Sequence, residues 1–142
     1  MRKSILFLSL FVLIMIGPPF STSLKAETVL FCQSELATGF SNKGGTWKQY
    51  RFQEERFTLK FNHDFTKLKG FIPVSDDREM ECSKPYTLYP DEIYCVHLMG
   101  AHETFLYDSK SKRFIASMIT STGWLVDGTD TDVIFAGTCK TF

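Results

Sequence analysis

Residues 56–61, with the sequence RFTLKF, decide the fold class because apolar and polar side chains alternate along them without a break. A period of two with one apolar face is typical of a half-buried antiparallel β-strand. The polar stretch NHDF, residues 62–65, comes next, and TKLKGFI, residues 66–72, follows it. Two strand segments separated by a short polar connection predict a β-hairpin.

Further segments with strand character recur about every 8 to 12 residues, with turn-forming residues between them. This spacing predicts an all-β fold, a small antiparallel β-barrel or sandwich of about 7–9 strands. No stretch has the pattern of an amphipathic helix, and residues 76–82 offer at most a single helical turn. The other strand segments are residues 27–34, 47–52, 93–99, 103–108, 113–119, 123–127 and 133–142, and residues 37–47 are expected to form the longest loop.

Residues 1–26 have the pattern of a secretion signal peptide. Two basic residues precede an apolar run over residues 5–16, which is shorter than the roughly 18 residues that a spanning helix needs. We expect cleavage after Ala26, with a cut after Ser23 or retention as an uncleaved anchor as the alternatives. Residues 27–142 then form a single β domain without a further membrane segment, and its location is secreted or periplasmic.

The charge of this domain excludes one class of partners. The chain has 16 basic and 16 acidic residues, and the signal peptide takes Arg2, Lys3 and Lys25 with it, so residues 27–142 carry a net charge of −3. A protein that binds nucleic acid by neutralising phosphates carries an excess of positive charge instead. We therefore expect no nucleic-acid partner.

All four cysteines lie in the β domain, at Cys32, Cys82, Cys95 and Cys139. An even number of cysteines behind a secretion signal predicts disulfide bonds. Three pairings are possible, and the sequence favours Cys32–Cys139 with Cys82–Cys95. The first and last strands of a closed antiparallel sheet are neighbours, and the other two cysteines flank one turn-rich stretch. The cysteines are scattered singly, without the C-x-x-C spacing typical of a zinc site.

The β domain is also rich in aromatic residues, since it holds all but three of the 14 Phe, both Trp and all five Tyr. A barrel of about eight strands has an interior barely wide enough for side chains. We therefore expect the aromatic side chains to fill it. A cavity that holds a small apolar ligand is the alternative.

The densest acidic cluster consists of Asp127, Asp130 and Asp132. A helix–loop–helix calcium site needs a glutamate at its twelfth position. Counting from Asp127 or Asp130 reaches Thr138 or Thr141 instead. We interpret the cluster as a solvated hairpin turn.

The three histidines do not predict a metal site. His63 lies in the polar connection of the first hairpin, and His97 and His102 are five residues apart near Gly100. The last two can approach each other if the chain turns there, but no third ligand accompanies them. We expect neither a metal nor a cofactor.

The chain lacks the patterns that mark common catalytic sites. The stretch TSTGW, residues 120–124, is without the leading glycine of a G-x-S-x-G elbow. The two glycines of NKGGTW, residues 42–47, are not followed by a helix, as a phosphate-binding loop requires. A cysteine nucleophile needs a free thiol, and all four cysteines are expected to be paired. We therefore predict no catalytic residue and no enzyme activity.

Four motifs carry a resemblance to small secreted proteins of unassigned function from alphaproteobacteria. These are C-Q-S-E-x-x-T-G-F at 32–40, R-F-T-L-K-F at 56–61, F-L-Y-D-x-x-x-x-R-F at 105–114 and F-A-G-T-C at 135–139. In size and layout the chain also resembles the periplasmic inhibitors of C-type lysozyme, which are small disulfide-bonded β-barrels. Those inhibitors insert a loop with Ser and Gly into the lysozyme cleft. The nearest residues here, Ser121, Thr122 and Gly123, do not reproduce that motif, so no functional residue is carried over.

The sequence therefore favours a non-enzymatic envelope protein that binds a partner, such as another envelope protein, or a ligand through loops on a rigid sheet. An inhibitor of a cell-wall hydrolase is one specific form of this function. The alternative is a carrier of a small apolar ligand in the barrel, and an enzyme with an unrecognised site is the third hypothesis. The sequence does not single out the binding residues.

Overall fold

The structure is a computed structural model, and it describes residues 26–41, 45–70, 72, 79–97, 102–119 and 131–141. These residues form nine β-strands: β1 (Thr28–Ser41), β2 (Lys48–Arg51), β3 (Arg56–Phe61), β4 (Lys67–Gly70), β5 (Met80–Ser83), β6 (Glu92–Val96), β7 (His102–Asp108), β8 (Arg113–Ile119) and β9 (Thr131–Thr141). Within these ranges there is no helix that could cross a membrane. The predicted signal peptide, apart from Ala26, and the predicted strand 123–127 lie outside the described residues.

Eight of the described strands close into an antiparallel barrel. Their order is β1-β3-β4-β5-β6-β7-β8-β9, and β9 pairs back with β1. The remaining described strand, β2, pairs with the end of β1 and lies outside the ring. The all-β prediction is confirmed, and of the two expected architectures the barrel is the one that forms.

Strand β1 is the seam of the barrel because it pairs along both of its edges. One edge pairs first with β3 and then with β2, while the other pairs with β9 from Leu30 to Ser41. The sequence predicted a strand only over 27–34 and a loop from residue 37. The loop prediction is wrong for residues 37–41, because their cross-strand partners in β2 and β9 hold this Thr- and Gly-containing segment extended.

A second correction concerns residues 76–82, which were expected to make at most one helical turn. Residues 80–82 instead belong to β5, where Met80 is buried opposite Leu68 and Cys82 lies opposite Cys95. Pairing on both sides of this short strand outweighs its local preference. The remainder of the segment, apart from Glu79, lies outside the described residues.

The serine at position 34 joins β1 to the chain between β2 and β3. Ser34 is fully buried, and its backbone N–H donates to the carbonyl oxygen of Glu55 at 2.9 Å. Its Oγ also accepts a hydrogen bond from the Glu55 N–H at 2.6 Å. The register of β1 against β9 shifts next to this residue, between Ser34 and Leu36. A side chain thus supplies a hydrogen bond that a regular ladder would otherwise make.

The interior of the barrel is filled by the inward side chains of the alternating strands. Phe114 packs edge-on against Phe57, with ring centroids 5.3 Å apart, and stacks on Phe105 at 5.5 Å. The ring of Tyr107 is also stacked with that of Phe105, with centroids 6.5 Å apart. The buried core also includes Leu30, Cys32, Leu59, Phe61, Leu68, Ile72, Met80, Ile93, Cys95, Ala116, Val133, Phe135 and Cys139. Aromatic residues therefore occupy the described interior, as expected for a barrel of this size.

Both predicted disulfide bonds are present. Cys32 is bonded to Cys139 across β1 and β9, and Cys82 is bonded to Cys95 across β5 and β6. In each pair the two residues lie directly opposite each other in the sheet register. None of the four cysteines is free. One bond closes the seam between the first and last strands, and the other fixes a hairpin on the far side.

Candidate functional site

The three histidines singled out in the sequence occupy two places in the fold. His63 lies in the turn after β3, with Nε2 3.8 Å from Oδ2 of its neighbour Asp64. His97 follows β6, and His102 begins β7, where its side chain is outside the described part. In the ranges that the structure describes, no three His, Cys, Asp or Glu residues are grouped to hold a metal ion.

Most of the acidic cluster and the loop compared with the lysozyme inhibitors lie beyond the described residues. These are Asp127 and Asp130, and Ser121, Thr122 and Gly123. Asp132 is described, and it lies in β9 opposite Phe40 rather than in a turn. The prediction of a solvated turn is therefore wrong at Asp132, because β9 begins two residues before Val133 and pairs with β1 from that point.

A buried carboxyl group that the sequence did not reveal lies beside His97. Glu103 is 4% exposed and occupies the inward row of β7 with Phe105 and Tyr107. Its Oε2 is 4.0 Å from Nδ1 of His97, a buried atom without a hydrogen-bond partner in the part of the chain that the structure describes. The alternation of 103–108 was the available signal, since Glu103 occupies the same phase as two aromatic core residues.

The exterior carries a line of apolar side chains across five adjacent strands. Tyr94 lies opposite Leu106, Leu106 opposite Ile115, Ile115 opposite Ala136, and Ala136 opposite Leu36. On β6 to β9, the residues before and after each member of this line are buried inside the barrel, so these side chains point outward. Ile115 is 50% and Leu36 is 70% exposed. We call these five residues the apolar row.

A second line of outward residues, which are polar, runs beside the apolar row. On each of the strands β6 to β9, its member is two residues along the chain from the member of the apolar row. Glu92 lies opposite Asp108, and Arg113 lies opposite Thr138. The Thr138 hydroxyl donates to Oε1 of Glu35 at 3.0 Å, which adds a third carboxylate. We call these five residues the polar row.

Hydrogen bonds from the turn between β7 and β8 stabilise the ionised form of Asp108 in the polar row. The backbone N–H groups of Ser111 and Lys110 donate to Oδ1 of Asp108 at 2.9 and 2.8 Å. These hydrogen bonds, that from Ser111 first, lower the pKa of Asp108 below its ordinary value. The turn between β7 and β8 therefore fixes a negative charge at the edge of the groove.

The polar row and the apolar row, apart from Tyr94, line an open groove of about 600 Å³ on the outside of the barrel. Its floor includes Leu106, Ile115, Ala136 and Leu36, and its charged residues are Glu35, Glu92, Asp108 and Arg113. Exposed apolar surface rimmed by polar residues commonly marks a site of protein interaction. The sequence could not show this groove, because its residues become neighbours only through the pairing register of five strands.

The segment that the sequence favoured as a recognition loop carries exposed aromatic residues. Phe40, near the end of β1, is 45% exposed. Trp47, just before β2, is 51% exposed, and Tyr50, within β2, is 43% exposed. The Thr38 hydroxyl donates to the Tyr50 carbonyl at 3.0 Å and accepts from Nε2 of Gln49 at 3.0 Å. These contacts join the two strands, so the described part of this segment is a paired hairpin.

The fold and the groove define the chain as a disulfide-bonded antiparallel β-barrel with an exterior apolar face. No protein-family model matches the chain, and neither a curated protein nor a solved structure is significantly similar to it. The resemblances to the alphaproteobacterial proteins and to the lysozyme inhibitors therefore stay predictions. The geometry of the groove is the main indication of what the protein does.

Proposed function

We propose that the protein is a non-enzymatic binding protein that recognises a partner protein through the exterior groove. The observation that carries this proposal is the apolar row, in which residues such as Ile115 and Leu36 are exposed on a barrel whose inward rows are well packed. Burying exposed apolar area against a partner is favourable by about 25 cal/mol per Å². A sheet face of this kind supports protein recognition without any catalytic group.

The proposed location is secreted or periplasmic. Two disulfide bonds, one of them buried at the barrel seam, are typical of proteins in oxidising compartments. The signal-peptide pattern of residues 1–26 supports the same location.

The carrier hypothesis receives less support from the packing. Phe114 contacts both Phe57 and Phe105 in the interior, where a small apolar ligand would have to bind. The groove lies on the opposite face of the same strands. Native mass spectrometry of protein from its own envelope separates the two hypotheses, since a carrier would release an additional small mass on denaturation.

Photo-crosslinking in living cells tests the proposed binding face. A photoreactive amino acid replaces Ile115 in the apolar row and, in a matched control, Lys60, an exposed outward residue of β3. We expect a discrete protein adduct from position 115 and none from position 60. The partner identified in this way, once purified, should bind the parent protein and lose binding to Leu36→Asp. Equal adducts from both positions, or none from either, would refute the proposal.

Inhibition of a cell-wall hydrolase is one specific form of this function, and it has a direct test. Titration of a C-type lysozyme with the protein should then abolish activity at a one-to-one ratio. Unchanged lysozyme activity at an excess of the protein would show that the protein does not inhibit that lysozyme.

A further inference from the structure

We infer that the groove binds an apolar protein segment flanked by basic side chains. This inference rests on the proposed function, because it specifies the chemistry of the partner at the same face. It follows from the way in which charge is distributed around the apolar row.

The charged side chains of the groove are unbalanced in sign. Three carboxylates, of Glu35, Glu92 and Asp108, face one guanidinium, of Arg113. Among the contacts of the described residues, no ion pair joins Arg113 to any of the three. The Lys110 ammonium also acts on Asp108 and helps to lower the pKa of that carboxyl. Three carboxylates against these two cations still leave an excess of negative charge, which Lys or Arg side chains of a partner can neutralise.

The charge is also confined to one long side of the apolar row. On the other side, the corresponding outward positions are Thr104, Ser117, Ile134 and Thr38, which are opposite one another in the register and carry no charge. The Thr104 and Ser117 hydroxyls are hydrogen-bonded to each other at 2.7 Å. A matching segment therefore needs basic residues along one flank only, with apolar residues in the middle.

The length of the apolar row sets the length of segment that can bind. Neighbouring strands lie about 4.8 Å apart, so five strands span roughly 19 Å. An extended segment of about six residues, at roughly 3.3 Å per residue, covers that distance.

Two other occupants fit this charge pattern poorly. A second copy bound through the same face would bring six carboxylates and two guanidinium groups together, and like charges at an interface oppose binding. An anionic lipid surface would be repelled by the same carboxylates. Basic protein surface is the occupant that the charges favour.

Two synthetic peptides of equal length test the inference. Both have the same apolar residues, and the flanking positions are Lys in one and Glu in the other. Binding to the oxidised protein is followed by fluorescence anisotropy at low and high salt, and the contact site by methyl NMR shifts of Ile115, Leu36 and Leu106. We expect the Lys peptide to bind at least about tenfold more tightly, with shifts at these methyl groups. Its affinity should fall as salt is added.

Variants locate the charge effect within the groove. Glu92→Gln with Asp108→Asn should weaken binding of the Lys peptide about tenfold, while the exposed Glu54→Gln, outside the groove, should leave it unchanged. Equal affinity for both peptides with shifts at Ile115 would overturn the charge inference but leave recognition at this face intact. Shifts at other residues, or no binding of either peptide, would overturn the inference at this groove. A concentration-dependent dimer whose interface includes Ile115 would do the same.

Discussion

Cys32 on β1 and Cys139 on β9 lie directly opposite each other, with their Cα atoms 4.0 Å apart and their sulfur atoms bonded. The two residues are separated by 107 positions in the chain, yet they are cross-strand neighbours at the seam of the barrel. The covalent bond therefore closes the same ring that the hydrogen-bonded ladder between β1 and β9 closes.

Removing this disulfide should cause a large loss of stability. In the chain-entropy model, a bond that closes a loop of about 100 residues contributes up to about 4.7 kcal/mol. We expect Cys139→Ser to lower the free energy of unfolding by several kcal/mol and to leave Cys32 as a buried thiol. Urea unfolding with thiol labelling measures both effects.

The second disulfide provides the comparison for this prediction. Cys82 and Cys95 are separated by only 13 positions, for which the same model gives about 3 kcal/mol. Removal of both Cys82 and Cys95 should thus cost less than removal of both Cys32 and Cys139. The opposite order would contradict the entropic account of the seam.

The buried hydroxyl of Tyr107 gives the folded protein a dependence on alkaline pH. Tyr107 is 1% exposed, and its hydroxyl has no hydrogen-bond partner among the described residues. Burial, and then the negative charge of Asp108, raise the pKa of Tyr107 above its ordinary value. The unfolded chain therefore ionises at a lower pH than the folded chain, so the stability tied to this group is intact below about pH 10 and falls as the pH rises further.

The variant Tyr107→Phe should remove this dependence. It also removes an unpaired buried hydroxyl, so it should be as stable as the parent at pH 7 or more stable by about 1 kcal/mol. Urea unfolding at pH 7, 9 and 11 should show a smaller alkaline loss for the variant than for the parent. Tyr86→Phe, at an exposed position, is the matched control and should follow the parent curve. A parallel decline of parent and Tyr107→Phe would rule out this assignment.

The hydrogen bonds of Ser34 predict a cost for removing a single hydroxyl. In Ser34→Ala, the backbone N–H of Glu55 loses its acceptor, the Ser34 Oγ at 2.6 Å. Glu55 lies in the segment between β2 and β3. We expect a loss of about 1–2 kcal/mol in the free energy of unfolding. The exposed Ser83→Ala should change stability by less than about 0.5 kcal/mol. Similar values for the two variants would show that the Ser34 hydroxyl has no such role.

Gly137 permits the close approach of β9 to β1 beside the same irregularity. A Cβ at this position would overlap the carbonyl oxygen of Gln33 and lie 2.8 Å from the Cα of Ser34. Both are backbone atoms, so the strands themselves would have to move. Gly137→Ala should destabilise by about 1–3 kcal/mol, as overpacking does, whereas Lys140→Ala on the exposed side should be close to neutral. Thermal unfolding followed by circular dichroism distinguishes them.

The local sequence pattern was sufficient to predict two strands at their observed bounds. Residues 56–61 match β3, because one face of this segment is apolar and the other polar, and residues 113–119 match β8, which follows the polar turn of residues 109–112. The Cys32–Cys139 pairing followed from the expectation of a closed sheet, in which the first and last strands are neighbours. The extension of β1 through Gly39 could not be predicted, because its extended form depends on partners more than 90 positions away, including Val133.

The candidate site was less accessible to sequence analysis than the fold. Leu106 and Ile115 each lie at an outward position of a strand, and a single exposed apolar residue does not indicate a function. Their alignment with Ala136 and Leu36 depends on register, which is set by three hairpins and the seam together. The buried Glu103 was hidden for a similar reason, since the position of a carboxyl group inside a barrel depends on the whole ring.

The pairing of β1 with β9 also determines the order in which the molecule can fold. Strand β1 is synthesised before the other strands, but one of its edges stays unpaired until residues 131–141 are available to pair with it. Contacts between such distant parts of a chain make folding slow, on the order of milliseconds to seconds for β-rich domains. A chain that lacks β9 has an open sheet with two unpaired edges, so the barrel can close only once residues 131–141 are available. Closure of the barrel then brings Cys139 to Cys32.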